Sequence, residues 1–218
     1  MNIHSVTTTA AIAIPSTEPV DKREAILDAA LELFAERTFE GTPVPLIAER
    51  AGVAAGTIYR YFENKEALVN ALYRRCKGEL RDVLAGAIAA GTTHEERFRL
   101  LWRGQWLFAA EQPHALAFLE TQHHEAYLDA ESHALSGDIE VAAVAYVRAA
   151  QADGAIRQAP PEMLIAIAFG AFVGMVKQAG SGGLLFDEDA VRASADVMWS
   201  ALREEQHETK TARRKDAP

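Results

Sequence analysis

Residues 42–65 read Thr-Pro-Val-Pro-Leu-Ile-Ala-Glu-Arg-Ala-Gly-Val-Ala-Ala-Gly-Thr-Ile-Tyr-Arg-Tyr-Phe-Glu-Asn-Lys, and this stretch decides the fold. Thr42 is placed to cap a helix, with Pro43 at its first position. Pro45 is tolerated there because first-turn N–H groups have no helical acceptor. Val44, Ile47, Ala48 and Ala51 recur at helical spacing and form one apolar stripe. Gly52 stands where a chain leaving a helix takes up a left-handed conformation. Val53 then plugs the core beneath the turn, and Ala54 to Phe62 follow as a second short helix. Ile58 and Phe62, four residues apart, face inward, which leaves Thr57, Tyr59, Arg60 and Tyr61 outside. Gly56 costs stability inside a helix, a cost that close approach of its backbone to another molecule would offset. Two short helices joined in this way make a helix-turn-helix, whose second helix enters the major groove of DNA.

The sequence around this stretch resembles the DNA-binding domain of the TetR (tetracycline-repressor) family. The resemblance runs over residues 22–73, about a quarter of the chain. It is carried by Ile26-Leu27-Asp28-Ala29-Ala30 with Leu33-Phe34, by Thr42, by Ile47-Ala48, and by Ala51-Gly52-Val53. It continues through Gly56-Thr57-Ile58-Tyr59-Arg60-Tyr61-Phe62 and Asn64-Lys65-Glu66-Ala67-Leu68. Two details depart from the commonest pattern. Ala55 replaces a polar residue, removing one possible hydrogen bond to DNA, and Thr38-Phe39-Glu40-Gly41 is a variant of the usual glycine-containing turn. The resemblance implies an all-α protein, with a three-helix N-terminal domain and a larger helical domain that binds a small molecule and dimerises. It also implies that Thr42, Tyr59, Tyr61 and Lys65 contact phosphates. Thr57, Arg60 and the backbone at Ala55 and Gly56 would lie nearest the bases.

Composition fits this reading. Of 218 residues, 49% are hydrophobic and 24% charged, ordinary values for a soluble globular chain. The net charge of −9 argues against a general nucleic-acid coat protein. Residues 21–75 hold 8 Lys or Arg and 9 Asp or Glu, so the acidic excess lies mainly elsewhere. The single cysteine, Cys76, allows no intrachain disulfide and suits a reducing cytoplasm. Between Leu72 and Leu80 it reads as a semi-buried structural thiol. The longest apolar run, Met163 to Val176, is interrupted by Gly170 and Gly174 and falls short of a membrane span. The N-terminus lacks the basic start of a secretion signal. A cytoplasmic protein with no membrane partner is expected.

In chain order, residues 1–20 carry no Lys or Arg and read as a flexible arm. Residues 21–75 form the DNA-binding domain, 76–206 an effector-binding and dimerisation domain, and 207–218 a flexible tail. The first helix is expected over 22–37, with a stripe of Ile26, Ala29, Ala30, Leu33 and Phe34. Asn64 caps a fourth helix that continues to Gly91. Thr93 and Glu96 form a capping box for a fifth, and Pro113 opens a sixth. A further helix is expected to hold Tyr127 and Leu128 and end near Ser136-Gly137, with Asp138 capping another that Gly154 stops. Pro160 and Pro161 begin the most apolar helix, over 162–178, and Asp187 or Asp189 starts the last.

Several residues in the second domain are candidates for binding. Trp102, Trp106, Phe118, His123, Tyr127, Phe169, Phe172 and Met175 could line a cavity for an apolar or amphipathic effector, although aromatics at helical spacing also build plain core. Helix 162–178 is apolar nearly all round and needs cover on both sides. That cover could come from within one subunit, but the resemblance implies that the last two helices pair with those of a second copy. A dimer interface is therefore expected to include Phe169, Gly170, Val173 and Gly174, with Val191, Met198 and Leu202 from the last helix. Glu111 with His114 and Glu120 with His123 have the spacing of helical di-iron sites, but the inward glutamates such a site also needs are not identified. The chain has no Gly-x-Ser-x-Gly, no phosphate-binding glycine loop and no zinc-type cysteine pair, so no catalytic residue, metal or cofactor is expected. The function expected is a homodimeric, ligand-responsive regulator bound to double-stranded operator DNA and released by its effector. The alternatives are a helical-bundle metal enzyme and a transcriptional activator of the same fold.

Overall fold

The computed structural model describes residues 21–121, 126–182 and 187–204. The expectations for residues 1–20, for His123 and for the tail beyond Glu204 lie outside them. Among the described residues the structure is helical, without strands.

Helix α1 (Lys22–Glu36) starts at Asp21, whose carboxylate accepts the Arg23 N–H at 2.9 Å. Its stripe of Ile26, Leu27, Ala29, Ala30, Leu33 and Phe34 is buried and packs on α2 (Val44–Arg50), α3 (Ala55–Tyr61) and α4 (Lys65–Ala90). The turn between α2 and α3 follows from glycine. Gly52 has φ +65, a conformation that would strain any other common residue. The Val53 N–H then reaches back to the Ala48 carbonyl at 2.9 Å and ties off the helix end. Ile58 and Phe62 are buried beneath.

Asn64 caps α4 through the Ala67 N–H at 2.7 Å, and the helix runs 26 residues without a break. Its first half belongs to the N-terminal head and its second half to the body. At the far end Thr93 caps α5 (His94–Glu111), accepting the Glu96 N–H at 3.1 Å. The returning Glu96 carboxylate takes the backbone N–H and hydroxyl of Thr92 rather than the Thr93 N–H, so the box closes one residue early. Helix α5 runs back along α4. Gly104 lies so close to Val83 that an added Cβ would stand 2.9 Å from its methyl group.

Helix α6 (Pro113–Thr121) places Phe118 on Phe34, ring centroids 6.1 Å apart, so the body reaches into the head. The two helices expected on either side of Ser136-Gly137 are one helix, α7 (Ala130–Ala152). Asp129, not Asp138, is its cap, and Tyr127 and Leu128 precede it. A single internal glycine costs only about 1 kcal/mol. The Ser136 hydroxyl, hydrogen-bonded to the Tyr73 hydroxyl at 2.6 Å, helps to hold the helix there. Gly154, with φ +71, follows its end.

Helix α8 (Pro161–Gly180) follows, then α9 (Glu188–Leu202), capped by Asp187. Helix α9 packs on α5. Trp102 Nε1 donates to Ser194 at 2.8 Å, and Arg103 pairs with Glu188 at 2.7 Å. Its end is pinned to the α7–α8 connection, where the Arg157 N–H meets the Leu202 carbonyl at 3.0 Å. Helix α8 differs from the expectation of a short apolar run. At 20 residues, with mean hydropathy 1.6 over its most apolar window, it has the length and composition of a membrane-crossing helix. Only 11% of that window is buried within the chain.

Candidate nucleic-acid interface and ligand cavity

Helix α3 is held from below by Ile58 and leaves its other side open. Tyr59 is 56% exposed and Tyr61 44%, Arg60 is exposed, and Thr57 is half-buried. The head's other arginines are largely engaged. Arg50 pairs with Glu32 at 2.8 Å, and Arg75 with Asp28 at 2.8 Å and Glu24 at 3.1 Å. Arg23 pairs with Glu24 at 2.7 Å and lies over the Phe62 ring, and Arg74 pairs with Asp129 at 2.8 Å. Arg60 has neither a hydrogen bond nor an ion pair within the described residues. The surface of α3 thus offers one uncommitted guanidinium between two phenols, groups that suit phosphates and base edges. Ala55 and Gly56 are exposed, and nothing lies within 4 Å of where a Gly56 side chain would be. Packing among the described residues therefore gives no reason for a glycine at 56.

Two residues expected at this surface turn inward. Thr42 is fully buried, and its hydroxyl donates to the Thr38 carbonyl at 3.0 Å. It does not cap α2 either: Pro43 occupies the cap position and has no side-chain hydrogen bond to give. The Thr42 hydroxyl closes the Thr38–Gly41 turn instead. Lys65 folds back over the Phe39 ring, with Nζ 4.1 Å from its centroid, and donates to the Phe39 carbonyl. Loss of water around the ammonium lowers its pKa. Its role is to anchor the α1–α2 turn to α4.

A cavity of about 520 Å³ lies in the body between α4, α5, α7 and α8. Leu80, Leu84 and Ile88 line it from α4, and Phe98, Leu101 and Trp102 from α5. Ala143, Val144 and Val147 face it from α7, and Leu164, Ile165 and Phe169 from α8. Ile156 and Leu202 close one end. The polar groups at its wall are Lys77, Gln105, Glu140, Tyr146 and Glu162. Tyr146 already donates its hydroxyl to the His94 carbonyl at 2.9 Å, and burial pushes its pKa up to about 12.

Of the residues expected to line an effector site, Trp102 and Phe169 line this cavity. The others described are core. Trp106 packs edge-on to Phe172, centroids 5.4 Å apart, and Phe118 packs on Phe34. Tyr127 stacks on Phe39 at 4.5 Å, and Met175 is half-buried against the core. The α4 and α7 residues were missed because each continues an ordinary apolar stripe.

The residues of the expected dimer face are placed differently from one another. Leu202 is 6% exposed and belongs to the cavity wall, and Val173, Val191 and Met198 pack half-buried on the core. The outward stripe on α8 is Met163, Ile167, Gly170 and Gly174, and on α9 the exposed apolar side chain is Val197. Phe169 stands at the edge of both cavity and surface.

Cys76 is buried, not half-exposed, and burial pushes its thiol up to about 12, which leaves it inert. Glu111 ends α5 while His114 lies in α6, so that pair does not share one helix. Among the described residues no group of three or more His, Cys, Asp or Glu could hold a metal.

The comparisons agree with this geometry. The family model described as bacterial regulatory proteins, tetR family, matches residues 26–72. The model described as tetracyclin repressor-like, C-terminal domain, matches residues 73–204, more than half of the chain. The fatty acid metabolism regulator protein of Bacillus subtilis is 38% identical over 76 residues, 35% of this chain and 39% of that protein. The transcriptional repressor KstR2 of Rhodococcus jostii is 35% identical over 78 residues, 34% of this chain and 38% of that protein. These matches span about two fifths of those relatives. A TetR family regulator from Marinobacter aquaeolei shares the fold over 84% of this chain and 96% of its own, at TM-score 0.77 and 24% identity. The chain belongs to the TetR family of bacterial transcriptional regulators, a family of DNA-binding proteins and not of enzymes.

Proposed function

We propose that this protein is a cytoplasmic homodimeric repressor that binds a near-palindromic operator and is released by a small apolar or amphipathic effector. The division expected from the sequence carries over as part of this reading: a DNA-binding head over 21–75 and an effector and dimerisation domain over 76–206. The observation that carries the reading is the open face of α3, where Tyr59, Arg60 and Tyr61 have no structural employment among the described residues. Thr57 and the Ala55–Gly56 backbone flank it. Two such helices in a dimer would enter successive major grooves about 34–36 Å apart or somewhat more. Met163, Ile167, Gly170 and Gly174 of α8, with Val197 of α9, supply an apolar face for the second copy. Glycines at two of these positions allow the helices to approach closely. The effector enters the cavity between α4, α5, α7 and α8. Its occupancy matters only if it favours a conformation whose two heads no longer match the operator. Helix α4 passes from the head to the cavity wall and is the shared element.

A footprint of the purified protein on the DNA upstream of its own gene, and on selected random DNA, tests this. A protected near-palindrome whose occupancy falls steeply with salt is the expected result. Failure to select any sequence from the random pool would overturn it.

A further inference from the structure

The cavity is chemically lopsided, and the asymmetry bears on the class of effector; the inference rests on the cavity being the effector site. Along α4, Lys77, Leu80, Leu84 and Ile88 all face it. Eleven residues separate the first from the last, about 16 Å along the helix. Beyond Lys77 this side is an unbroken apolar track, ending where Ile156 and Leu202 close the cavity. Lys77 stands at the opposite end, beside the head. It is half-buried, and its ammonium makes no hydrogen bond or ion pair among the described residues.

The other charges are placed differently. Glu140 on α7 and Glu162 on α8 reach the cavity wall but are exposed to water, and Glu162 lies 3.9 Å from Arg148. Glu120 on α6 feels both Lys77 and Lys177 without bonding to either, and burial raises its pKa. The positive group is therefore the one drawn in among apolar walls, while the carboxylates at the wall stay solvated. Gln105 on α5 adds an amide to the wall. A half-buried ammonium with no hydrogen-bonded partner among the described residues, at the head of a long apolar track, matches a ligand with one anionic end and an unbranched tail.

We infer that the effector is a linear amphipathic monoanion, of the carboxylate or acyl type, held by Lys77 at its charged end and by Leu80, Leu84 and Ile88 along its tail. Such a ligand would place its charge one turn beyond Tyr73 and Arg74. Those residues hold α4 to α7, through Ser136 at 2.6 Å and Ser132 at 3.0 Å. The anion would thus bind where α4 leaves the head.

Trp102 in the cavity wall supplies the signal for a test. The full-length protein is titrated with dodecanoate, dodecanol and dodecyltrimethylammonium below their aggregation limits, following tryptophan fluorescence. Dodecanoate is expected to bind about tenfold tighter than dodecanol, since charge-assisted hydrogen bonds are roughly twice as strong as neutral ones. Lys77→Met, which keeps the stem and the helix propensity, should remove that preference and leave dodecanol binding unchanged. Leu84→Trp should weaken all three by filling the track. Tightest binding of the cationic amphiphile overturns the inference, as does a preference for dodecanoate that survives in Lys77→Met, or no binding of any of the three. Operator binding by the ligand-free protein is measured alongside. Intact operator binding with no amphiphile bound would refute the ligand class alone, whereas loss of operator binding strikes the regulator reading itself.

Discussion

Helices α3 and α8 are both left uncovered by the described residues, and they are uncovered in opposite ways. Helix α3 has seven residues, and its large exposed side chains, Tyr59, Arg60 and Tyr61, all end in hydrogen-bonding groups. Helix α8 has twenty, and among its exposed side chains are Met163 at 46% and Ile167 at 50%. The first surface is at ease in water and can wait for an intermittent partner. The second is an apolar stripe, and contiguous exposed apolar surface favours cover by another molecule. On the proposed function, chemistry at the exposed tip, rather than exposure itself, separates a face for nucleic acid from a face for another copy of the chain.

The largest expected effect breaks the α8 side. Ile167→Asp puts a charge at the centre of the stripe without touching the core. Sedimentation should show a monomer in place of a dimer. Operator affinity should fall by more than about a hundredfold, because one head alone forfeits the effective concentration that the second binding event enjoys. A variant that stays dimeric would move the interface elsewhere. On the α3 side, Arg60→Ala should cost about 1–3 kcal/mol of operator binding, the usual worth of a base-reading side chain, and leave the unfolding midpoint in place. Equal affinities of variant and parent in a gel shift would remove Arg60 from the contact.

Gly56→Ala gives a smaller effect with a sign that neither packing nor folding alone predicts. The site is open, and alanine is favoured over glycine in a helix by up to about 1 kcal/mol. The free protein should become slightly more stable while operator affinity falls, since a methyl group would keep the backbone from the DNA. Denaturant unfolding and a gel shift on the same preparation check both halves. If the variant gains stability and binds as well as the parent, close approach at this position is ruled out.

The head was largely legible in its sequence because its signals are local. The cap at Asn64, the left-handed Gly52 and the stripe of α1 act within one or two turns of chain. Direction was harder to read than position. Thr42 and Lys65 sit at the expected places but point into the Thr38–Gly41 turn, where a carbonyl and the Phe39 ring compete for them. In the body, which wall an aromatic faces depends on distant contacts. Phe118 and Tyr127 are spent on Phe34 and Phe39 of the head, so they are lost to the cavity. The cavity's α4 wall did leave a trace in the sequence. Leu80, Leu84 and Ile88 extend the apolar stripe of α4 past the last residue that the head could cover. Gly137 misled in the other direction, since a glycine at a helix end and one inside a helix read alike until Ser136 meets Tyr73.

Helix α4 is tied to the start of α7 through a small polar knot. Asn70 donates to the Tyr127 carbonyl at 2.8 Å and accepts the Asp129 N–H at 2.8 Å, and Arg74 bonds Asp129. The Arg74 guanidinium holds the Asp129 carboxyl down at about 2. A carboxylate with a depressed pKa adds stability that is full above its unfolded value and lost as pH falls through the folded one. Asp129→Asn keeps an N-cap for α7 and removes the charge. The pair is partly exposed, so the parent should be more stable than the variant at pH 7 by less than about 1 kcal/mol. That gap should close between pH 4 and pH 2, as read from urea midpoints at each pH. Dimerisation and operator affinity should not change, because neither surface is touched. A loss of operator affinity in Asp129→Asn would mean that the knot sets the position of the head, and the two surfaces could then no longer be treated as independent.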